Sequence, residues 1–389
     1  MVELILVLAL LPVAAASGWY MARQHYSRRD RQDASVLSSK YFRGLNYLLN
    51  EQPDKAIEVF LGLAEVNQQT VETHLALGNL FRRRGEVDKA IRFHKHIMSR
   101  PNLTEQHRTQ ALLELGEDYM RAGLLDRAEK LFAELVGHDR HSTSALRNLL
   151  SIYQQEKDWP RAIEQAQTLQ RISGEDTSAL IAQFHCELAE AAFGQGDTGE
   201  ARGQIRQARR YDPGCVRARL ISGNLALSEQ QWREAAESFQ EACELDPDFI
   251  VLVLDSLVLC HERLDSQDEL LEWLARQSGL TQATAPMLAR AQLLALRDPR
   301  EAMNGLLKQM RQRPTVRGLQ YLVELMHELG HGLDEIDPAL IRELMQRLLD
   351  GQPRFRCQQC GFSGQTWHWQ CPSCRQWETT RPVIGVLGE

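Results

Sequence analysis

Proline and glycine are scarce in this 389-residue chain, at 13 and 25 residues, and their scarcity excludes long disordered stretches. An excess of positive charge is also missing. Lys and Arg number 45 against 52 Asp and Glu, a formal net charge of -7, which excludes a broad electrostatic grip on phosphate backbones and leaves nucleic acid out of the expected partners. What is present is globular composition, 43% hydrophobic and 25% charged, so most of the chain should fold. The eight cysteines fall into two groups. Cys186, Cys215, Cys243 and Cys260 are scattered through helical sequence and are expected to be small buried apolar residues, unpaired in a reducing compartment. Cys357, Cys360, Cys371 and Cys374 form two tight pairs.

Residues 4–21, LILVLALLPVAAASGWYM, carry no charge, and at helical rise they roughly match a ~30 Å hydrocarbon layer. Trp19 and Tyr20 stand where interfacial aromatics belong, and Arg23, Arg28, Arg29 and Arg31 follow at once. The positive-inside rule then places everything after residue 23 in the cytoplasm. A cleaved signal peptide is the rival reading, suggested by Ala14, Ala15, Ala16 and Ser17. Such peptides carry their positive charge before the apolar stretch, and here it comes after. The spacing predicts an uncleaved single-pass anchor.

Beyond residue 36 one pattern recurs: a small residue, an aromatic three positions later and an alanine nine further on. Gly44, Tyr47, Ala56 and Phe60 begin it, Gly78, Phe81 and Ala90 follow 34 residues later, and Gly116, Tyr119, Ala128 and Phe132 come after a four-residue insertion. Tyr153 with Ala162 continues the series, then Ala201 with Ala208 and Pro213, then Gly223, Ala235, Phe239, Ala242 and Pro247. The period is that of tetratricopeptide repeats, so the chain resembles that family over about three quarters of its length. The pattern predicts about eight helix-turn-helix units, a degenerate one near 252–280, with Ala302 and Pro314 resuming the series. In such an array the glycines let two helices of a unit approach, the prolines end second helices, and stacked units form a superhelix whose groove binds peptides or proteins.

Two further patterns bear on chemistry. His327, Glu328 and His331 spell H-E-x-x-H, which on a continuous helix presents two imidazoles and a glutamate to zinc. A third ligand is wanting, because Asp334 and Asp337 stand where the extended metzincin pattern has Gly and His. A capping helix ending near Gly330 or Gly332 is the plainer reading, with the protease kept as an alternative. The stronger signal is FRCQQCGFSGQTWHWQCPSCRQW at 355–377, two C-x2-C turns ten residues apart. Two such turns facing each other complete a tetrahedral S4 site for one ion, zinc or iron, with Cys357, Cys360, Cys371 and Cys374 as ligands. Gly361 and Pro372 favour the two turns. A closed S4 site suits structure or electron transfer rather than hydrolysis. So small a domain needs its ion and a seat against the last helices, and Trp367, Trp369 and Trp377 are expected to form local core around the metal.

An anchor ending in Gly-Trp-Tyr-Met, the tetratricopeptide units and a Cys-Gly-Phe to Cys-Pro-Ser-Cys knuckle, in that order, resemble the lipopolysaccharide assembly protein B family of Gram-negative bacteria. The fold class is therefore expected to be all-α, a tetratricopeptide superhelical solenoid with an N-terminal transmembrane helix and a small rubredoxin-like or zinc-ribbon knuckle. Its expected divisions are an anchor at 1–22, a basic linker at 23–35, the solenoid at 36–350 and the metal domain at 351–389. The resemblance implies a non-enzymatic inner-membrane adaptor that regulates lipopolysaccharide synthesis. Its implied partners are a membrane-bound AAA protease, the lipid A pathway deacetylase that this protease degrades, and an inner-membrane protein that senses lipopolysaccharide. Self-association stays open, and a rubredoxin-like electron carrier is a further alternative.

Overall fold

The computed structural model describes residues 19–21, 42–47, 50, 52–61, 68–101, 103–137, 142–281, 283–330 and 338–388. The expected anchor lies outside the described residues apart from 19–21, which are helical. No helix among the described residues is long and apolar enough to cross a membrane. The chain forms two compact units, 1–157 and 158–389.

In the first unit, helices α1 (Pro53–Leu61), α2 (Gln68–Arg83), α3 (Val87–Met98), α4 (Glu105–Arg121), α5 (Leu125–Leu135) and α6 (Ser142–Glu156) follow in order. The second holds α7 (Trp159–Ser173), α8 (Ser178–Gly194), α9 (Thr198–Tyr211), α10 (Val216–Ser228), α11 (Trp232–Leu245), α12 (Ile250–Arg263) and α13 (Gln267–Leu280). It continues through α14 (Ala285–Ala295), α15 (Pro299–Gln312), α16 (Val316–Glu328) and α17 (Pro338–Leu349) to three short strands, β1 (Phe355–Cys357), β2 (Ser363–Gly364) and β3 (Thr380–Pro382). Within each unit, second helices pack on first, and the first helices of successive pairs also touch, as α2 does α4 and α8 does α10. One wall is thus built from first helices alone.

The periodic residues do the packing expected of them. A Cβ placed on Gly44, Gly116 or Gly223 would stand 2.5 Å from the ring of Phe60, Phe132 or Phe239, each 16 positions later and nearly inaccessible to solvent. In the second pair His94 replaces that phenylalanine, pressed on Gly78 and hydrogen-bonded to the buried carboxylate of Asp118 at 2.5 Å. The degenerate segment near 252–280 is a true helix pair in which Leu257 and Trp273, both buried, occupy the register of Gly223 and Phe239. A larger residue on the first helix and a broader ring on the second keep the pair but erase its signature. Asp212, Asp246 and Arg313, each just before a proline, have ψ of 98°, 104° and 84°, so Pro213, Pro247 and Pro314 end α9, α11 and α15 by forcing the preceding residue out of helical geometry.

Candidate metal centre and its seat on the repeats

The metal domain is a three-stranded antiparallel sheet, order β2-β1-β3, in which Phe355 faces Gly364 on one side and Pro382 on the other. Two turns leave it. In the first, the Gly361 amide donates to Cys357 O at 3.0 Å; in the second, the Arg375 amide donates to Cys371 O at 2.9 Å. Gly361 has φ +79° as the sequence suggests, but its counterpart Arg375 adopts φ +58° without being glycine. Pro372 stands in the second turn as the sequence suggests, and the hydrogen bonds around Cys371, whose own amide donates to Gln376 O at 2.9 Å, hold Arg375 in that region.

The four sulfurs meet. Cys357 Sγ lies 3.7 Å from Cys374 Sγ, Cys360 Sγ 3.6 Å from Cys371 Sγ, and all four ligand atoms lie within 4.8 Å of one another. Thiolates ~2.3 Å from a tetrahedral ion sit about 3.8 Å apart, so the spacing fits one ion in an S4 site. The electrostatics agree. The Thr379 hydroxyl at 3.2 Å, with the amides of Cys360 and Gln359, pulls the Cys357 thiol down to about 6, and the Phe362 amide lowers Cys360. Cys374 receives the Gln376 amide, but burial and the neighbouring sulfurs leave it pushed up to about 11. Ionising all four sulfurs so close together requires a cation among them. Among the described residues this is the one cluster able to hold a metal, and His368, bonded to Thr366, is outside it.

The seat of this domain departs from expectation. Apart from one bond near α16, Val316 N to Val386 O at 2.8 Å, its aromatic side rests on helices far earlier in the chain. Trp377 meets Trp159 at 6.1 Å and Phe184 at 6.0 Å between ring centres; Trp367 and Trp369 meet Phe249 at 5.0 and 5.5 Å. Trp369 and Trp377 thus form a docking face rather than local core, while Trp367 does both, packing on Phe355 of β1 at 5.5 Å as well as on Phe249. Arg217, at the start of α10 and 2% exposed, stands between Trp369 and Trp377, its guanidinium 5.3 and 5.8 Å from their rings. The same guanidinium donates to Gln183 at 3.4 Å, Glu187 at 2.7 Å and Glu190 at 3.2 and 2.8 Å, three residues on one face of α8. Gln183 also donates to Glu378 at 2.7 Å, and Arg381 pairs with Asp246 at 3.3 Å while covering Phe249. Sequence reasoning missed Gln183, Arg217 and Glu378, since the partners lie up to 195 positions apart.

The other predicted residues separate. Helix α16 ends at Glu328 and the backbone turns at Gly330 with φ +67°, so the helical spacing that H-E-x-x-H chemistry needs stops before His331, which lies outside the described residues. Cys186, Cys215, Cys243 and Cys260 are buried, and burial pushes the Cys243 thiol up to about 12. Two of them are less solitary than expected: Cys186 and Cys215 face each other with sulfurs 3.7 Å apart, beneath Gln183.

Known proteins match this arrangement from end to end. The family described as "Rubredoxin metal binding domain" matches residues 355–382, and tetratricopeptide repeat families match 73–109, 113–177 and 186–248. Among solved structures the crystal structure of MamA is 24% identical over 44% of this chain and 94% of that one, with a TM-score of 0.30. Lipopolysaccharide assembly protein B of Escherichia coli strain K12 is 36% identical, covering 98% of this chain and 99% of its own length. The protein of that name from Haemophilus influenzae is 34% identical with 98% of both chains covered. With repeats and four-cysteine ribbon both in place, this chain belongs to the lipopolysaccharide assembly protein B family.

Proposed function

We propose that the protein is a non-enzymatic adaptor of the bacterial inner membrane that regulates lipopolysaccharide synthesis. In this reading residues 4–21 anchor the chain, the basic residues from Arg23 keep the bulk of it in the cytoplasm, and the repeats gather partners there. The partners are a membrane-bound AAA protease, the lipid A pathway deacetylase delivered to it, and an inner-membrane protein reporting lipopolysaccharide status. Tethering raises the effective concentration of protease and substrate around each other without new chemistry.

The observation that carries the reading is the docking of a closed metal ribbon onto the repeats through Arg217, Trp369 and Trp377. An ion enclosed by four sulfurs has no open position for substrate, and Glu378 and Arg381 on the ribbon's docking face are bonded to Gln183 and Asp246 of the repeats. The ribbon therefore sets the shape of a binding surface. Full-length relatives bearing the name lipopolysaccharide assembly protein B support the process assigned.

The test measures the half-life of the deacetylase in cells lacking the chain and complemented with variants. The intact chain should shorten that half-life several-fold, and an unrelated transmembrane helix in place of residues 1–22 should retain the effect if tethering suffices. A half-life indifferent to the chain would overturn the reading.

A further inference from the structure

Beneath the seat of the ribbon lies a pair of thiols that take no part in the metal centre. Cys186 is on α8, one turn after Gln183, and Cys215 immediately precedes α10, two residues before Arg217. Their sulfurs are 3.7 Å apart although 29 positions, including the whole of α9, separate them in sequence. A disulfide holds its sulfurs ~2.05 Å apart, so the gap left to close is under ~2 Å.

The pair is also polarised. The bond shared with Cys186, and after it the Ala218 amide, draw the Cys215 thiol below its ordinary range although burial opposes them, and the Gln183 amide adds a longer contact at 3.7 Å. The same shared bond, with burial, pushes Cys186 well above its ordinary range. Cys215 is thus the sulfur that ionises and Cys186 the one that keeps its proton, which are the parts of an attacking and a resolving thiol. Cys243 and Cys260 lack this arrangement. Both are buried, burial leads in raising both thiols, and no second sulfur acts on either.

Access selects the oxidant. Cys186 is 0% and Cys215 1% exposed, and Gln183, which covers Cys215, donates at 2.7 Å to Glu378 of the ribbon. A hydroperoxide is small and uncharged enough to enter beneath that edge, whereas a tripeptide disulfide is not.

We propose that Cys186 and Cys215 are a peroxide-reactive dithiol whose oxidation staples α8 to α10 under the ribbon. The Cys215 thiolate attacks hydrogen peroxide, the O–O bond breaks, one oxygen leaves as hydroxide and the other remains on sulfur as a sulfenic acid. Cys186 then attacks that sulfur, its proton goes to the departing hydroxyl, and water leaves as the S–S bond forms. Both thiols together lose two electrons and two protons, and one peroxide becomes two waters. The new bond joins the helix that carries Gln183, Glu187 and Glu190 to the one that carries Arg217, so the oxidised chain keeps the seat in its docked shape.

The test treats the full chain, ion in place and in detergent, with graded hydrogen peroxide, blocks the remaining thiols, unfolds the protein and maps its peptides by mass. Linked peptides holding Cys186 and Cys215, lighter by two hydrogens than their sum, should appear at a peroxide level that leaves Cys243 and Cys260 as thiols. Linkage should raise the melting temperature by several degrees, and a phosphine reductant should reverse both changes. Cys186→Ala should stop at a sulfenic acid on Cys215 that a cyclic diketone traps, Cys215→Ser should leave Cys186 unmodified, and neither variant should gain stability on treatment. Should a variant fail to fold, the map of the native chain decides by itself. Cys186 and Cys215 still reduced when Cys243 and Cys260 have begun to oxidise, or sulfinic acids without a link, would overturn the inference. A link that leaves the melting temperature unchanged would overturn it too, because the two helices would then not be stapled.

Discussion

Arg217 of the repeats lies with its guanidinium 5.3 Å from the ring centre of Trp369 of the metal domain, and that contact joins two parts of the chain that are remote in sequence. The cation is enclosed by aromatic faces on one side and by Glu187 and Glu190 on the other, so each contact is made stronger by the exclusion of water. Few single residues here touch so many elements.

Arg217→Ala should therefore loosen the ribbon. Glu187 and Glu190 keep side-chain exposures of 26% and 44%, so once freed they can rehydrate, and the cost should fall at about 2–3 kcal/mol rather than at the upper end for a fully buried pair. Arg217→Lys should recover only part of this, because an ammonium cannot present the fork that reaches Gln183, Glu187 and Glu190 together. Urea unfolding followed by tryptophan emission measures both. A wild-type midpoint for the alanine variant would contradict the bracing role.

Removing the ion should have a local effect. The ribbon offers little core of its own, with Phe355, Cys357 and Cys371 among its few buried side chains, so its fold depends on the metal and on its seat. Cys357→Ser, or a strong chelator, should release one equivalent of metal, expose Trp367, Trp369 and Trp377 to water and open 355–382 to proteases, while helical circular dichroism stays nearly constant. Elemental analysis together with the visible spectrum identifies the ion, because iron thiolates absorb in the visible and zinc thiolates do not. Retention of the ion after the serine substitution would exclude Cys357 as a ligand.

The parts legible in the sequence were those with local causes. A glycine that admits a phenylalanine 16 residues on, a proline that straightens the residue before it, and two thiols on one tight turn are each written within a few dozen positions, and the repeats and ligands followed from them. Where another ring takes the place of phenylalanine, as His94 does, or a larger pair replaces glycine and phenylalanine, as Leu257 with Trp273 does, the pattern faded although the helix pair persisted. The seat of the ribbon was not legible at all. Trp377 could have packed around the metal as well as against Phe184, and only the tertiary path, bringing residue 378 back to residue 183, decides between them.

Gly223→Ala tests the local part. The added Cβ would stand 2.5–2.8 Å from three ring atoms of Phe239, which is 1% exposed and has no room to withdraw, so about 1–3 kcal/mol of stability should be lost to overpacking. Gly199→Ala, in the first turn of α9, meets nothing closer than Asp197 Oδ1 at 3.5 Å and should be neutral or stabilising by up to about 1 kcal/mol. Thermal melts of the two variants give the comparison. Equal effects would mean that the helix pair yields at Gly223 and that its small residue is dispensable.

The last expectation concerns pH and Glu378. Burial first, and the nearby Asp212 second, raise its carboxyl above the ordinary glutamate range in the docked state, against the pull of Arg381 and of the Gln183 amide. A carboxyl whose pKa is higher when folded binds more protons in that state, so stability must fall as pH rises from the ordinary glutamate value through the raised one. Above that window Glu378 opposes docking and below it does not. Glu378→Gln removes the charge and keeps an oxygen for Gln183, so at neutral pH the variant should be more stable than the native chain, by less than about 1 kcal/mol given the group's partial exposure. Its stability should also lack the native decline across the window. Unfolding midpoints from pH 5 to pH 8, with metal content checked at each step so that acid release of the ion is not mistaken for this effect, read the difference directly; parallel curves for the two proteins would show that the charge of Glu378 is neutralised within the interface and costs nothing there.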